Sequence, residues 1–266
     1  MALNVVRDKI RFAVHLVEHC NLNCSGCKHF SPLALPEFVR VEDFRRDFMR
    51  MGNIFSGVCE DIALLGGEPL LHPEVDSLMR IARENFPCGS IVLLSNGILL
   101  SKCPPNFWNT CREYSIKIRI TPYPININIS AVKELARKYG ADLQYWEGRA
   151  ESSKTAFTIH PIDLTGSGNP QENFAACQQG NICISLSGGK LYTCCFAAYV
   201  RHFNRKSRVK IPVSDEDYID IYRENDGKEI LRRLNEAIPL CRYCKPTTKP
   251  KVIRWHISEG KIEEWL

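Results

Sequence analysis

Short apolar runs alternate with amphipathic stretches from residue 12 to about residue 162. FAVHLVEHC (12–20) reads as a strand. In VEDFRRDFMRMGNIF (41–55), Phe44, Phe48, Met51 and Phe55 recur at three- and four-residue steps, which puts them on one face of a helix. DIALLGG (61–67) predicts a buried strand that ends in glycines, EVDSLMRIARENF (74–86) a helix, and SIVLLSNG (90–97) a strand closed by a turn. A short helix near 104–113 leads to the strand SIKIRIT (115–121). Ser130 can cap the helix AVKELARKY, Gly140 would end it, and DLQYW (142–146) follows as a strand.

Near-continuous apolar strands alternating with helices predict a parallel sheet covered by helices. The units between 12 and 162 suffice for an α/β fold of partial (β/α)6 TIM-like barrel type. The texture changes from Pro161. DLTGSGNPQEN (163–173) is loop-like, and ICISLSGGKLYTC (182–194) predicts a hairpin about a Ser-Gly-Gly-Lys turn. DGKEILRRLNEAI (226–238) predicts a charged helix, with a C-x2-C pair behind it. The expected organisation is a barrel over 1–162 and a small hairpin-plus-helix domain over 163–266.

The balance of 44% hydrophobic and 24% charged residues in 266 is that of an ordinary globular protein. No apolar run approaches the ~20 residues of a bilayer-crossing helix. Arg7, Asp8, Lys9 and Arg11 precede the first apolar run without a small-residue cleavage site, so no signal peptide is expected and the cytosol is the expected compartment. The net charge of +5 is modest. Only RHFNRKSRVK (201–210) approaches a basic cluster, and it reads as a solvated loop or a patch for a small anion. No nucleic-acid partner is expected.

Thirteen cysteines change the picture. A reducing cytosol disfavours disulfides, which leaves metal ligation, catalysis or burial. Cys59, Cys88, Cys103 and Cys111 lack ligand spacing and read as buried apolar groups. Cys20, Cys24 and Cys27 stand at C-x3-C-x2-C just past the first strand, where three thiolates on a short loop can converge on one centre. A [4Fe–4S] cluster normally takes four, so three leave one iron open. The competing reading is a zinc site completed by His29 or His19.

This spacing, its position and two motifs downstream resemble the radical S-adenosylmethionine (SAM) superfamily. The resemblance implies a [4Fe–4S] cluster on Cys20, Cys24 and Cys27 whose open iron is chelated by SAM, and reductive cleavage of SAM to a hydrogen-abstracting 5′-deoxyadenosyl radical. LLGGEPLLHPE (64–74) closes the second strand with Gly66, Gly67, Glu68 and Pro69. It resembles the family's GGEP motif, which holds the amino group of SAM. Without the family it is a strand-to-helix turn whose glycines permit close approach and whose carboxylate can accept from an amine. Ser95 and Asn96 end the third strand, and Arg119 and Thr121 end the fourth. They resemble residues that contact the ribose or carboxylate of SAM, and all lie at C-terminal strand ends, where parallel α/β folds build sites. The family usually places an aromatic residue before the third cysteine. Here that residue is Gly26, and His29 and Phe30 are the candidates for the adenine side.

Cys177, Cys183, Cys194, Cys195, Cys241 and Cys244 crowd the last third. One cysteine before a hairpin, one ending GGKLYTC and a C-x2-C after a helix resemble Twitch or SPASM auxiliary-cluster domains. That resemblance implies a second [4Fe–4S] cluster on Cys177, Cys194, Cys241 and Cys244, with Cys195 or Cys183 as alternatives to Cys194. A structural zinc ribbon competes with it.

The implied activity is that of an oxidoreductase, dehydrogenase- or epimerase-like, acting at a carbinol carbon of a sugar, cyclitol or nucleotide-sugar, with a flavodoxin- or ferredoxin-type electron donor. A peptide-modifying maturase is a second reading, although only about ten residues stand ahead of the first strand where such enzymes carry a leader-recognition domain. A non-enzymatic iron–sulfur or zinc adaptor is a third, and it leaves GGEP and SNG without a purpose. His29, Tyr123, His160, Asp163 and His202 are conceivable proton carriers, and none is assigned as catalytic.

Overall fold

The computed structural model describes residues 8–146, 154–246 and 251–266, so Arg7 lies outside the described residues. The chain forms two compact units. One comprises Val14–Leu22 and Pro36–Thr155, the other Met1–Ala13, Asn23–Leu35 and Ala156–Leu266.

The first unit takes strand β1 (Arg11–Val17) from Val14 onward. It continues with α1 (Val41–Ile54), β2 (Asp61–Gly66), α2 (Val75–Asn85), β3 (Ser90–Ser95), α3 (Pro105–Glu113), β4 (Ile116–Ile120), α4 (Ile129–Tyr139) and β5 (Leu143–Tyr145). Strand order is β5-β4-β3-β2-β1. From β2 to β5 the pairings are parallel, in registers such as Ile62↔Ile91, Ile91↔Ile116 and Ile118↔Leu143. Parallel neighbours need a long crossover, which each intervening helix supplies. Ile91, Val92 and Leu93 are all buried, which is why β3 reads as an unbroken apolar run.

On α1, Phe44 and Phe48 stack at 4.1 Å between ring centres, and Phe48 meets Phe86 edge-on at 6.1 Å. Phe55 closes the helix as its C-cap. The cap of α4 is Asn128, not Ser130: its side-chain oxygen accepts the Ala131 N–H at 3.1 Å. The helix starts at Ile129, so Ser130 already lies inside the first turn. Gly140, at φ 68°, ends it as expected.

The second unit contains the antiparallel pair β6 (Ala156–Thr158) and β10 (Val252–Arg254), helix α5 (Pro170–Ala176), the hairpin β7 (Ser185–Ser187) and β8 (Lys190–Tyr192), α6 (Cys195–Lys206), β9 (Ile219–Asp220) and α7 (Gly227–Leu234). Gly188 and Gly189 have φ 56° and 72°, the two left-handed positions that a two-residue type I′ turn demands. The expected helix over 226–238 stops at Leu234 with Asn235 as its C-cap, and Ile238, just ahead of Pro239, is in extended backbone. The core of this unit gathers Phe30, Phe196, Tyr199, Phe203 and Trp265, each at most 1% exposed.

Candidate active site and thiol clusters

The end of β2 lies directly on the chain that follows β1. The Gly67 N–H donates to the Val17 carbonyl at 2.8 Å and the Glu68 N–H to the His19 carbonyl at 3.1 Å. A Cβ at Gly66 would fall 2.1 Å from the Val17 oxygen, and one at Gly67 1.9 Å from the His19 oxygen. Both glycines therefore make room for the protein's own backbone.

That contact delivers Glu68 into the interior, where it is fully buried. Its carboxylate accepts the Ser95 hydroxyl at 2.8 Å, the Asn96 N–H at 2.9 Å and the Leu70 N–H at 3.2 Å. Burial pushes its pKa up to about 7, against the pull of these three donors. A carboxyl held so far from water gains strongly from an adjacent cationic amine. Asn96 in turn donates its side-chain amide to Asn21 Oδ1 at 2.8 Å and lies 3.7 Å from Cys20 Sγ. The Leu22 N–H also points at that sulfur, at 3.4 Å. Glu68, Ser95, Asn96 and Cys20 thus form one network.

Pro69 opens the short turn Pro69–Leu71 beside it. The Thr121 N–H donates to the Ser95 carbonyl at 3.0 Å. Arg119 is engaged by Gln144 at 3.3 Å.

Cys24 and Cys27 belong to the second unit. Cys24 is buried, and the Trp255 indole N–H donates to its Sγ at 3.1 Å. The Trp265 indole N–H donates to the Cys27 carbonyl at 2.8 Å. Gly26 has φ 67°, and a Cβ there would lie 2.4 Å from Ile159 Cδ1 and 3.1 Å from Ile253 Cδ1. Phe30 packs against Phe196, Phe203 and Trp265, so it is a core residue and not free to face an adenine. His29 lies with its ring 5.5 Å from that of Tyr199.

Among the later cysteines, the charges of Cys177, Cys183 and Cys241 act on Cys194, and those of Cys177, Cys194 and Cys241 act on Cys244, which places Cys177, Cys194, Cys241 and Cys244 in one neighbourhood, with Cys183 beside Cys194. Burial is the main reason that Cys194, Cys241 and Cys244 hold their protons more tightly than usual, Cys241 being pushed up to about 11. Cys177 accepts the Gln179 and Gly180 N–H groups at 3.3 and 3.2 Å. The side-chain amide of Asn173 donates to the carbonyls of both Cys241 and Cys244, at 2.9 and 2.7 Å, and so fixes the C-x2-C turn. His160 Nε2 stands 3.3 Å from Cys244 Sγ, and burial lowers its pKa to about 4.

Cys183 and Cys195 partner each other: the Cys195 thiol, helped by Lys28 and Arg11, brings Cys183 down to about 7, while Cys195 is raised. Cys59 and Cys111 are buried as expected, whereas Cys88 is exposed, because Pro87 and Gly89 carry it through the turn between α2 and β3.

All thirteen cysteines are free thiols, the donor type that iron–sulfur clusters take. Among the described residues no three His, Cys, Asp or Glu side chains converge closely enough for a single ion. A single zinc needs every sulfur about 2.3 Å from one point, whereas a cubane takes each on a separate iron.

Within the first unit, the C-terminal ends of the parallel strands thus gather the Gly66–Pro69 turn, the Ser95–Asn96 pair and Cys20. Residues 14–142, just under half of the chain, match the profile described as the Radical SAM superfamily, a family that binds a [4Fe–4S] cluster and SAM. GTP 3′,8-cyclase of Chlorobaculum tepidum is 34% identical over 96 residues, 36% of this chain and 27% of that protein. The enzyme of the same name from Microcystis aeruginosa is 32% identical over 96 residues, 33% of this chain and again 27% of the relative. The match thus spans about a quarter of the length of these curated relatives. The solved structure described as "Native anSMEcpe with bound AdoMet" aligns with a TM-score of 0.53 at 13% identity, over 88% of this chain and 83% of that one, a likeness of fold. No helix among the described residues is long and apolar enough to cross a membrane.

Sequence reasoning missed Asn21, Asn173, Trp255 and Trp265. Asn21 lay inside the cysteine motif, and an amide flanking a thiolate is a usable signal. The other three act on residues far away in the chain, and nothing near them announces it.

Proposed function

We propose that this chain is a radical SAM enzyme that abstracts a hydrogen atom from a carbinol carbon of a sugar, cyclitol or nucleotide-sugar derivative, leading to oxidation or epimerisation there. The observation that carries the reading is the buried Glu68 carboxylate tied through Asn96 to Cys20, the first cysteine of C-x3-C-x2-C. In this reading Cys20, Cys24 and Cys27 ligate a [4Fe–4S] cluster and leave one iron for SAM. Together, cluster and SAM supply hydrogen-atom abstraction.

The residues of the chain bind and orient. Glu68 offers a desolvated carboxylate to the amine of SAM, and Ser95 and Asn96 hold that carboxylate in place. Gly66, Gly67 and Pro69 fix the turn that presents it. Arg119 and Thr121, with Ser95 and Asn96, are assigned to the carboxylate and ribose.

Cys177, Cys194, Cys241 and Cys244 are assigned to a second [4Fe–4S] cluster. Their shared neighbourhood and the Asn173 clamp support this set, while Cys183 donates its thiol to Gln179 Oε1 at 3.2 Å and interacts with Cys195. A cluster with four thiolates has no corner for substrate, so its role is electron transfer. The electron donor is a flavodoxin or ferredoxin, and the compartment the cytosol.

The test is anaerobic reconstitution with iron and sulfide, followed by reduction in the presence of SAM. Release of 5′-deoxyadenosine and about eight irons per chain are expected. Candidate sugars and cyclitols deuterated at the carbinol position should transfer deuterium into that product. Zinc on the N-terminal cysteines, or SAM left intact, would sink the proposal.

A further inference from the structure

The segment Val252–Leu266 closes on the loop that carries Cys24 and Cys27, within the second unit. Its first residues, β10, pair antiparallel with β6, Val252 opposite Thr158 and Arg254 opposite Ala156. It then runs along the loop in the opposite direction. The Ser25 N–H donates to the His256 carbonyl at 2.9 Å, the Ser258 N–H donates to the Asn23 carbonyl at 2.7 Å, and Cys24 faces Ile257.

These bonds bracket the position where Trp255 reaches Cys24, with Nε1 at 3.1 Å from Sγ. A one-residue slip of the pairing would turn the indole to the opposite side. The far end is fixed by Trp265, 1% exposed, whose indole N–H holds the Cys27 carbonyl at 2.8 Å. Gly26 belongs to the same fit, with the side-chain tips of Ile159 and Ile253 2.4 and 3.1 Å from where a Cβ would stand.

We infer that Trp255 is a positioning residue for the SAM-binding cluster: carried in by the 252–266 strap, its indole N–H holds the Cys24 thiolate and raises the cluster's reduction potential. The inference rests on the reading of Cys20, Cys24 and Cys27 as ligands. One-electron reduction adds negative charge to the cluster and its sulfurs, so a donor aimed at a ligating sulfur stabilises the reduced state more than the oxidised one. Indole N–H is a donor only and carries no titratable proton in the working range. Its effect is therefore the same at every ordinary pH.

The experiment compares the full-length, anaerobically reconstituted protein with its Trp255→Phe variant, which keeps a ring and loses the N–H. The electron paramagnetic resonance signal that changes when SAM is added identifies the cluster with the open iron, and its redox titration gives the midpoint. At a fixed solution potential the ratio of reduced to oxidised cluster should fall at least threefold in the variant, about 30 mV at 59 mV per tenfold. One exchangeable proton coupled to the cluster should also disappear from its electron–nuclear double resonance spectrum. If the phenylalanine variant does not fold, benzothienylalanine at position 255 keeps the bicyclic shape without the N–H and makes the same comparison. An unchanged midpoint with an unchanged proton coupling, in a variant that still shows the SAM-responsive signal, overturns the role of Trp255 and leaves the ligand assignment standing. A wild-type protein with no SAM-responsive signal overturns both.

Discussion

The buried carboxylate of Glu68 accepts the backbone N–H of Asn96 at 2.9 Å, and Asn96 extends its amide toward Cys20 Sγ at 3.7 Å. One residue therefore couples the turn after β2 to the cysteine motif after β1. With burial holding Glu68 at about 7, well above the ordinary carboxylate range near 4.5, the folded chain keeps a proton between those values that the unfolded chain has released. This contribution to stability is complete below about pH 4.5 and is lost as pH rises through 7. Thermal melts of the cofactor-free protein across that range should show a fall that the Glu68→Gln variant lacks.

The two strand-end glycines and Gly26 should respond differently to alanine. At Gly67 the obstacle is backbone, 1.9 Å away, and backbone cannot step aside. Gly67→Ala should cost more than about 4 kcal/mol or prevent folding. At Gly26 the nearest atom is the tip of Ile159, which can turn away, and what remains is the left-handed backbone at φ 67°. Gly26→Ala should cost about 1–2 kcal/mol. Urea denaturation of both variants checks the contrast.

Helix α4 offers a cleaner comparison between neighbours. Asn128→Ala removes a side-chain cap and should cost about 1 kcal/mol. Ser130→Ala, inside the first turn, should stay within about 0.5 kcal/mol. Equal losses at the two positions, measured by chemical denaturation, would contradict the observed cap.

Iron content distinguishes the late cysteines. Replacing Cys177, Cys194, Cys241 or Cys244 by alanine should reduce the iron in the reconstituted chain from about eight to about four. Cys183→Ala and Cys195→Ala should retain the full amount. Iron and sulfide determination after anaerobic reconstitution decides between these sets.

What the sequence made legible was local. The stripe of Phe44, Phe48 and Met51, the stop at Gly140 and the Gly188–Gly189 turn each depend on a few consecutive residues, and each is present in the structure. Expectations failed where distant contacts override local signals. Phe30 sits next to the cysteine motif, yet its φ of 55° turns it into a core supplied by residues 196, 203 and 265. Trp255 reaches Cys24 from 231 positions away, a separation at which no periodicity or motif carries information. Ser130 had the right chemistry for a cap two residues too late, because the pattern of apolar residues marks a helix face more sharply than its first residue.

The fit of Gly66 and Gly67 onto the carbonyls of Val17 and His19 separates two kinds of selection that a motif search merges. A descendant of this protein that had abandoned catalysis would still need both glycines simply to close its sheet. The acidic residue after them is under no such geometric compulsion. In a survey of divergent relatives, loss of the glutamate with retention of the glycine pair would therefore mark a chain that has kept the scaffold and given up the chemistry.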